Sequence, residues 1–102
     1  MDQVRVISRK ALREFWERRG RGDAEQPFRA WFREAERADW ASPADVKAAF
    51  RSASIVGNNR IVFNIAGNKY RLVVRVNYAY RIVYIRFVGT HQDYDKINVE
   101  EV

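Results

Sequence analysis

Two periods of apolar residues divide this chain, and the change between them falls near residue 60. Val4-Arg5-Val6-Ile7 is short and β-branched, the make-up of an opening strand. Ser8 then predicts an N-cap for a helix over about residues 9–19, with Leu12, Phe15, Trp16 and Arg19 on one face. Gly20-Arg21-Gly22 stops that helix. Asp23 followed by Gln26 has the spacing of a capping box and predicts a second helix to about residue 38. There Phe28, Trp31, Phe32 and Ala35 stand at i, i+3, i+4 and i+7, a stripe assigned to core because a helix face needs something to bury. Ser42-Pro43 with Asp45 combines a cap, a proline at the first helical position and a first-turn carboxylate. A short third helix to about Phe50 follows from them. Gly57-Asn58-Asn59 ends the stretch 51–59 as a turn.

From residue 60 the period is two. Ile61, Phe63 and Ile65 alternate with Arg60, Val62 and Asn64. Gly67-Asn68 suits the two-residue turn of a hairpin. The next strand sets Leu72, Val74 and Val76 against Lys69, Arg71, Val73 and Arg75. A loop around Asn77-Tyr78-Ala79-Tyr80 leads to a third strand, in which Val83, Ile85 and Phe87 alternate with Ile82, Tyr84, Arg86 and Val88. The expectation is a single α+β domain over residues 1–102. An N-terminal strand precedes two to three helices packed on one face of an antiparallel sheet, and a short C-terminal tail closes the chain. The apolar parity buries Ile61, Phe63, Ile65, Leu72, Val74, Val76, Val83, Ile85 and Phe87 beneath the helices. The other face collects Arg60, Lys69, Arg71, Arg75, Tyr84 and Arg86 and is expected to lie open.

Composition narrows the chemistry. Among 102 residues there is no cysteine and one histidine, His91, so disulfides, cysteine zinc sites and multi-histidine metal centres are excluded. No metal or cofactor is implied. The longest uninterrupted aliphatic or aromatic run is Ile82-Val83-Tyr84-Ile85, far short of a membrane span, and the N-terminus has no apolar signal region. The expected location is the cytoplasm.

Charge is distributed unevenly. The net charge is +6, yet residues 1–45 carry ten basic and nine acidic side chains. Residues 46–92 carry Lys47, Arg51, Arg60, Lys69, Arg71, Arg75, Arg81 and Arg86 with no Asp or Glu. Like charges facing each other on neighbouring strands repel, so an uncompensated row of arginines suits a polyanion such as RNA. The competing structural reading has Asp93, Asp95, Glu100 and Glu101 of the tail supply the missing counter-charge, or an acidic protein partner do so. A DNA-binding regulator fits less well, because no helix-turn-helix with a basic second helix is present.

His91 and Tyr94 follow the last strand in Gly89-Thr90-His91-Gln92-Asp93-Tyr94-Asp95. An imidazole to move a proton and guanidiniums to hold charge on a pentacovalent phosphate make a workable set for phosphodiester cleavage. RNA supplies its own nucleophile, the 2′-hydroxyl. A small basic domain that binds RNA or ribosome without cutting is the alternative.

The blocks Ser42 to Phe50, Gly57 to Leu72, Asn77-Tyr78, Tyr84-Ile85-Arg86 and Gly89 to Asp95 together resemble the HigB family of RelE-like toxins over nearly the whole chain. That resemblance implies a RelE-like fold and an mRNA interferase acting in the ribosomal A site. It further implies neutralisation by a HigA-type helix-turn-helix antitoxin, with operator DNA contacted only through the complex. By the same resemblance Arg71 and Arg86 are the phosphate stabilisers and His91 the tail group, with Lys69 and Tyr94 as further matches, while the basic strand face itself offers Arg60, Lys69, Arg75 and Tyr84 as RNA contacts. The lysine pair on the second strand best known from RelE itself is missing.

Overall fold

A computed structural model describes residues 3–102. β1 (Arg5–Ile7) leads into α1 (Arg9–Trp16), and a single 3-10 turn (Gly22–Ala24) precedes α2 (Glu25–Arg37) and α3 (Pro43–Ala49). β2 (Ser54–Val56), β3 (Arg60–Ile65), β4 (Tyr70–Asn77) and β5 (Ile82–Thr90) follow, closed by the one-turn helix α4 (His91–Tyr94). The strands lie in the order β1-β5-β4-β3-β2. β2 to β5 form an antiparallel meander and β1 joins β5 in parallel, so the sheet is mixed. The α+β architecture with its N-terminal strand is as expected.

Several local features differ from the sequence expectation, each for a physical reason. Ser8 does cap α1, accepting from the Lys10 amide at 3.2 Å, but the helix ends at Trp16 and leaves Arg19 exposed. Asp23 caps nothing, because Lys69 and Tyr70 take its carboxylate. At α3 it is Asp45 that reaches back, accepting from the Ala41 amide at 2.9 Å, while the Ser42 side chain makes no capping bond. β2 is hidden in the stretch 51–59, where Ala53 is buried and Ser54 and Ile55 are exposed, so no two-residue alternation marks it. Asn58 and Asn59 take left-handed φ values of 59° and 60°, and the Arg60 amide donates to the Gly57 carbonyl at 3.2 Å. Both central residues are thus left-handed in this turn joining β2 to β3. Between β3 and β4 the left-handed residues are Ala66 and Gly67, and the loop spans 66–69 rather than Gly67-Asn68 alone.

The core lies between the sheet and the helices. Phe15, Phe28 and Tyr70 pack as one aromatic cluster, with Phe15 and Tyr70 ring centroids 5.3 Å apart and edge to face. Trp31, Trp40 and Phe50 surround Phe63 in a second. Ile61, Phe63, Ile65, Leu72, Val74, Val76 and Val83 are buried as expected and Ile85 partly so. Phe87 is not among them. Val73 pairs with Phe87 while Val74 pairs with Ile85, so Arg86 is an extra residue in β5, a bulge. The bulge reverses parity beyond it: Val88 packs on the core, and Phe87 joins the opposite face.

That opposite face is open only in part: Arg75 and Arg86 are exposed on it. Val62 and Val73 are buried on it, as are Arg60 and Arg71. The chain after β5 crosses it. Arg71 lies beneath the Tyr94 ring, the Asn58 side chain donates to the Glu100 carbonyl at 3.3 Å, and Arg60 donates to the Val102 main-chain oxygen at 2.6 Å. Tyr94, Ile97, Val99 and Val102 are the half-buried residues of this segment. Its carboxylates supply cover without counter-charge: among the described residues none of Asp93, Asp95, Glu100 or Glu101 pairs with a strand arginine.

Val73 separates the covered from the open arrangement. Val73→Asn should cost about 2–5 kcal/mol in urea unfolding, from lost apolar burial and a stranded amide. A change within about 0.5 kcal/mol, the usual range for a surface position, would mean that the face is solvated.

Candidate active site

The sharp end of the β3–β4 hairpin carries the densest functional chemistry in the molecule. β4 begins at Tyr70, whose ring is buried in the core, so the preceding Asn68 and Lys69 sit at the sheet's end. Thr90, opposite Tyr70, closes β5 and caps α4, accepting from the Asp93 amide at 3.1 Å while Asp93 accepts from the Thr90 amide at 3.2 Å. Hydrogen bonding from the Thr90 amide, and then from its hydroxyl, holds the Asp93 carboxyl below its ordinary value. The cap fixes His91 as the first residue of α4, and its amide donates to the Lys69 carbonyl at 3.2 Å.

The result is an open pocket of about 530 Å³ lined by Arg21, Asn68, Lys69, Tyr70, Thr90, His91 and Gln92. The His91 imidazole is half exposed, with Nδ1 3.7 Å from an Asp95 carboxylate oxygen one helical turn on. Lys69 pairs with Asp23, which also accepts from the Tyr70 hydroxyl. Each partner shifts accordingly. Hydrogen bonds from Lys69 and then Tyr70 lower the Asp23 carboxyl, and the bond to Asp23 raises Lys69. Burial, reinforced by Asp23, raises the Tyr70 phenol. A carboxylate held low is a poor base near neutrality, so Asp23 anchors cations rather than moving protons. His91 is the residue of this pocket whose type serves most often as general acid or base.

The residues singled out in sequence fall into three places. His91 and Lys69 share the pocket. Arg71 stands behind its wall: the guanidinium donates to the Asn68 carbonyl at 3.0 Å and to its side-chain oxygen at 3.2 Å, and lies 5.8 Å from the Tyr94 ring centroid. Asn68 thus joins the Arg71 charge to the pocket. Arg75, Tyr84 and Arg86 form a separate group further along the strands, with Arg75 opposite Tyr84 and the Arg86 guanidinium 5.8 Å from the Tyr84 ring centroid. Arg86 precedes His91 by five residues, about 16 Å of extended chain, and does not line the pocket. Arg60 belongs to neither group: it is 9% exposed, held by the Asn58 carbonyl and the Val102 main-chain oxygen, and is no free RNA contact in this fold.

Arg21, Asn68 and Gln92 escape a reading of the sequence alone. Arg21 carries no signal beyond sitting between two helix-stopping glycines, and Asn68 reads as turn geometry. Among the described residues no group of three or more His, Asp or Glu side chains is placed to hold a metal, and no helix is long and apolar enough to cross a membrane.

The mixed five-stranded sheet with helices on one face and a basic pocket at its end is the architecture of a RelE-like toxin. A family model described as HigB toxin, the RelE-like toxic component of a toxin–antitoxin system, matches residues 24–97. The chain belongs to that family, and its role as such a toxin implies an antitoxin partner. No curated relative matches the chain.

The Asp23 knot yields a pH test. Because the folded carboxyl lies below its ordinary 3.8, its stabilisation is present above that value and lost as pH falls through the folded one. Asp23→Asn should therefore be less stable than the parent at pH 7, with the gap closing on acidification below pH ~4. A gap that stays constant from pH 7 to pH 3 in urea titrations contradicts the ionic role.

Proposed function

We propose that this toxin is a ribosome-dependent endoribonuclease that cuts mRNA in the ribosomal A site and so halts translation in the cytoplasm. The observation that carries the reading is the convergence of His91, Lys69 and Arg21 on one pocket, with the Arg71 guanidinium behind Asn68. The 2′-hydroxyl oxygen attacks the adjacent phosphorus and loses its proton. The bond from phosphorus to the 5′-oxygen breaks, that oxygen gains a proton, and the products are a 2′,3′-cyclic phosphate and a 5′-hydroxyl. No water is consumed and no metal or cofactor is required.

His91 is the proton carrier in this scheme, and Asp95 orients its imidazole. Lys69 and Arg21 neutralise the phosphate, with Arg71 adding to the field through Asn68 and holding Tyr94 over the sheet. Arg75, Tyr84 and Arg86 bind the message beyond the reacting step, since among the described residues no carboxylate pairs with either arginine. Neutralisation falls to a HigA-type helix-turn-helix antitoxin, and operator DNA is reached only through that complex.

Single-turnover cleavage on programmed ribosomes tests the reading. His91→Ala should fold, bind ribosomes and cut about 10²–10⁴-fold more slowly, the usual worth of a general acid or base. A folded His91→Ala protein that cuts at the parental rate removes His91 from the mechanism. Parent protein that binds ribosomes yet releases no fragments makes the domain a non-catalytic binding module.

A further inference from the structure

β5 is longer than the strand beside it. β1 pairs only with Ile82, Val83 and Tyr84, and among the described residues no strand pairs with β5 on that side from Ile85 to Thr90. The Thr90 amide is taken by Asp93, so the five residues Ile85–Gly89, at about 3.3 Å each, leave roughly 16 Å of strand edge without a partner strand on that side. Such a row is a template for an added strand. Beside it runs a groove of about 240 Å³ between α1 and β5. Ala11, Phe15 and Val88 give it apolar walls, and Arg18 and Arg86 stand on its lining with Glu14 as its single acid.

We infer that this edge is the docking site of the antitoxin, which adds one extended segment along Ile85–Gly89. The backbone row demands an extended partner rather than a helix. The period of two requires side chains alternating between the groove and solvent, and the surplus of arginine over glutamate selects an apolar segment carrying acidic residues. The location gives neutralisation a physical route. A strand laid here covers the groove that Arg86 lines. The inference rests on the family's antitoxin partner and not on the cleavage chemistry.

The test uses the toxin with the antitoxin encoded beside its own reading frame, purified as the complex. Amide hydrogen exchange should slow about tenfold or more at alternate positions of 85–89 on complex formation. Ala11→Arg, which fills the groove, and Arg18→Glu, which reverses its charge, should each weaken antitoxin binding at least tenfold, with toxicity of the free toxin unchanged. Arg18 is exposed, so its variant keeps the test valid should Ala11→Arg fail to fold. Unprotected amides at 85–89, protection confined to 90–102, or parental affinity in both variants overturns the inference. If exchange and affinity behave as stated while the free parent cuts no RNA, the cleavage reading fails and this one stands.

Discussion

One extra residue in β5 governs where the functional groups of this toxin go. Without the bulge at Arg86, alternation would send Phe87 and Gly89 to the helices and Val88 and Thr90 to the opposite face. With it, Val88 closes the core, and Thr90 stands opposite Tyr70 where it can cap α4. That cap starts the turn carrying His91 and directs the following chain back across the sheet. Gly89 is part of the same device: a Cβ there would come within 2.6 Å of the Phe87 ring and 3.1 Å of the Asp93 Cβ. The crowding leaves room for hydrogen alone, so bulge, glycine and cap work as one unit.

The consequence is electrostatic as much as steric. Crossing the basic face with a segment whose acidic side chains stay off the strand arginines leaves Arg71 buried without a carboxylate partner. Burying an unneutralised charge is costly, and backbone and amide oxygens offset part of that cost. For Arg71 the remaining field falls toward Asn68 and the pocket. A phosphate arriving there meets positive potential that folding has already fixed in place, which is the condition for stabilising charge as it develops. Asp23 performs the complementary task, holding Lys69 charged and tying it to the Tyr70 hydroxyl.

Most of the core is legible in the sequence because β3 and β4 alternate cleanly from Arg60 to Val76, and because the α2 stripe from Phe28 to Ala35 has one period throughout. Phe87 is misplaced by that reading for a definite reason: Arg86-Phe87-Val88 keeps regular alternation on paper, and a bulge leaves no mark when both neighbours are apolar. The expectation of an open basic face rests on charge alone, which is blind to a tail whose cover comes from Tyr94, Ile97 and Val99 at irregular spacing. His91 and Lys69 are legible as chemistry but not as neighbours, since 22 residues separate them and only the β4–β5 pairing joins them. Arg21 and Asn68 require the fold, because nothing in their local sequence distinguishes a pocket wall from a turn.

The end groups of the cut message test the chemistry of the His91 pocket most directly. Fragments made by the purified toxin on programmed ribosomes should carry 2′,3′-cyclic phosphate at the upstream end and a free hydroxyl at the downstream 5′ end. That pair follows from attack by the 2′-hydroxyl assisted by an imidazole and fixed cations. A 5′-phosphate on the downstream fragment means that water, not the 2′-hydroxyl, was the nucleophile, and it would contradict a pocket built for metal-free transfer to the 2′-oxygen.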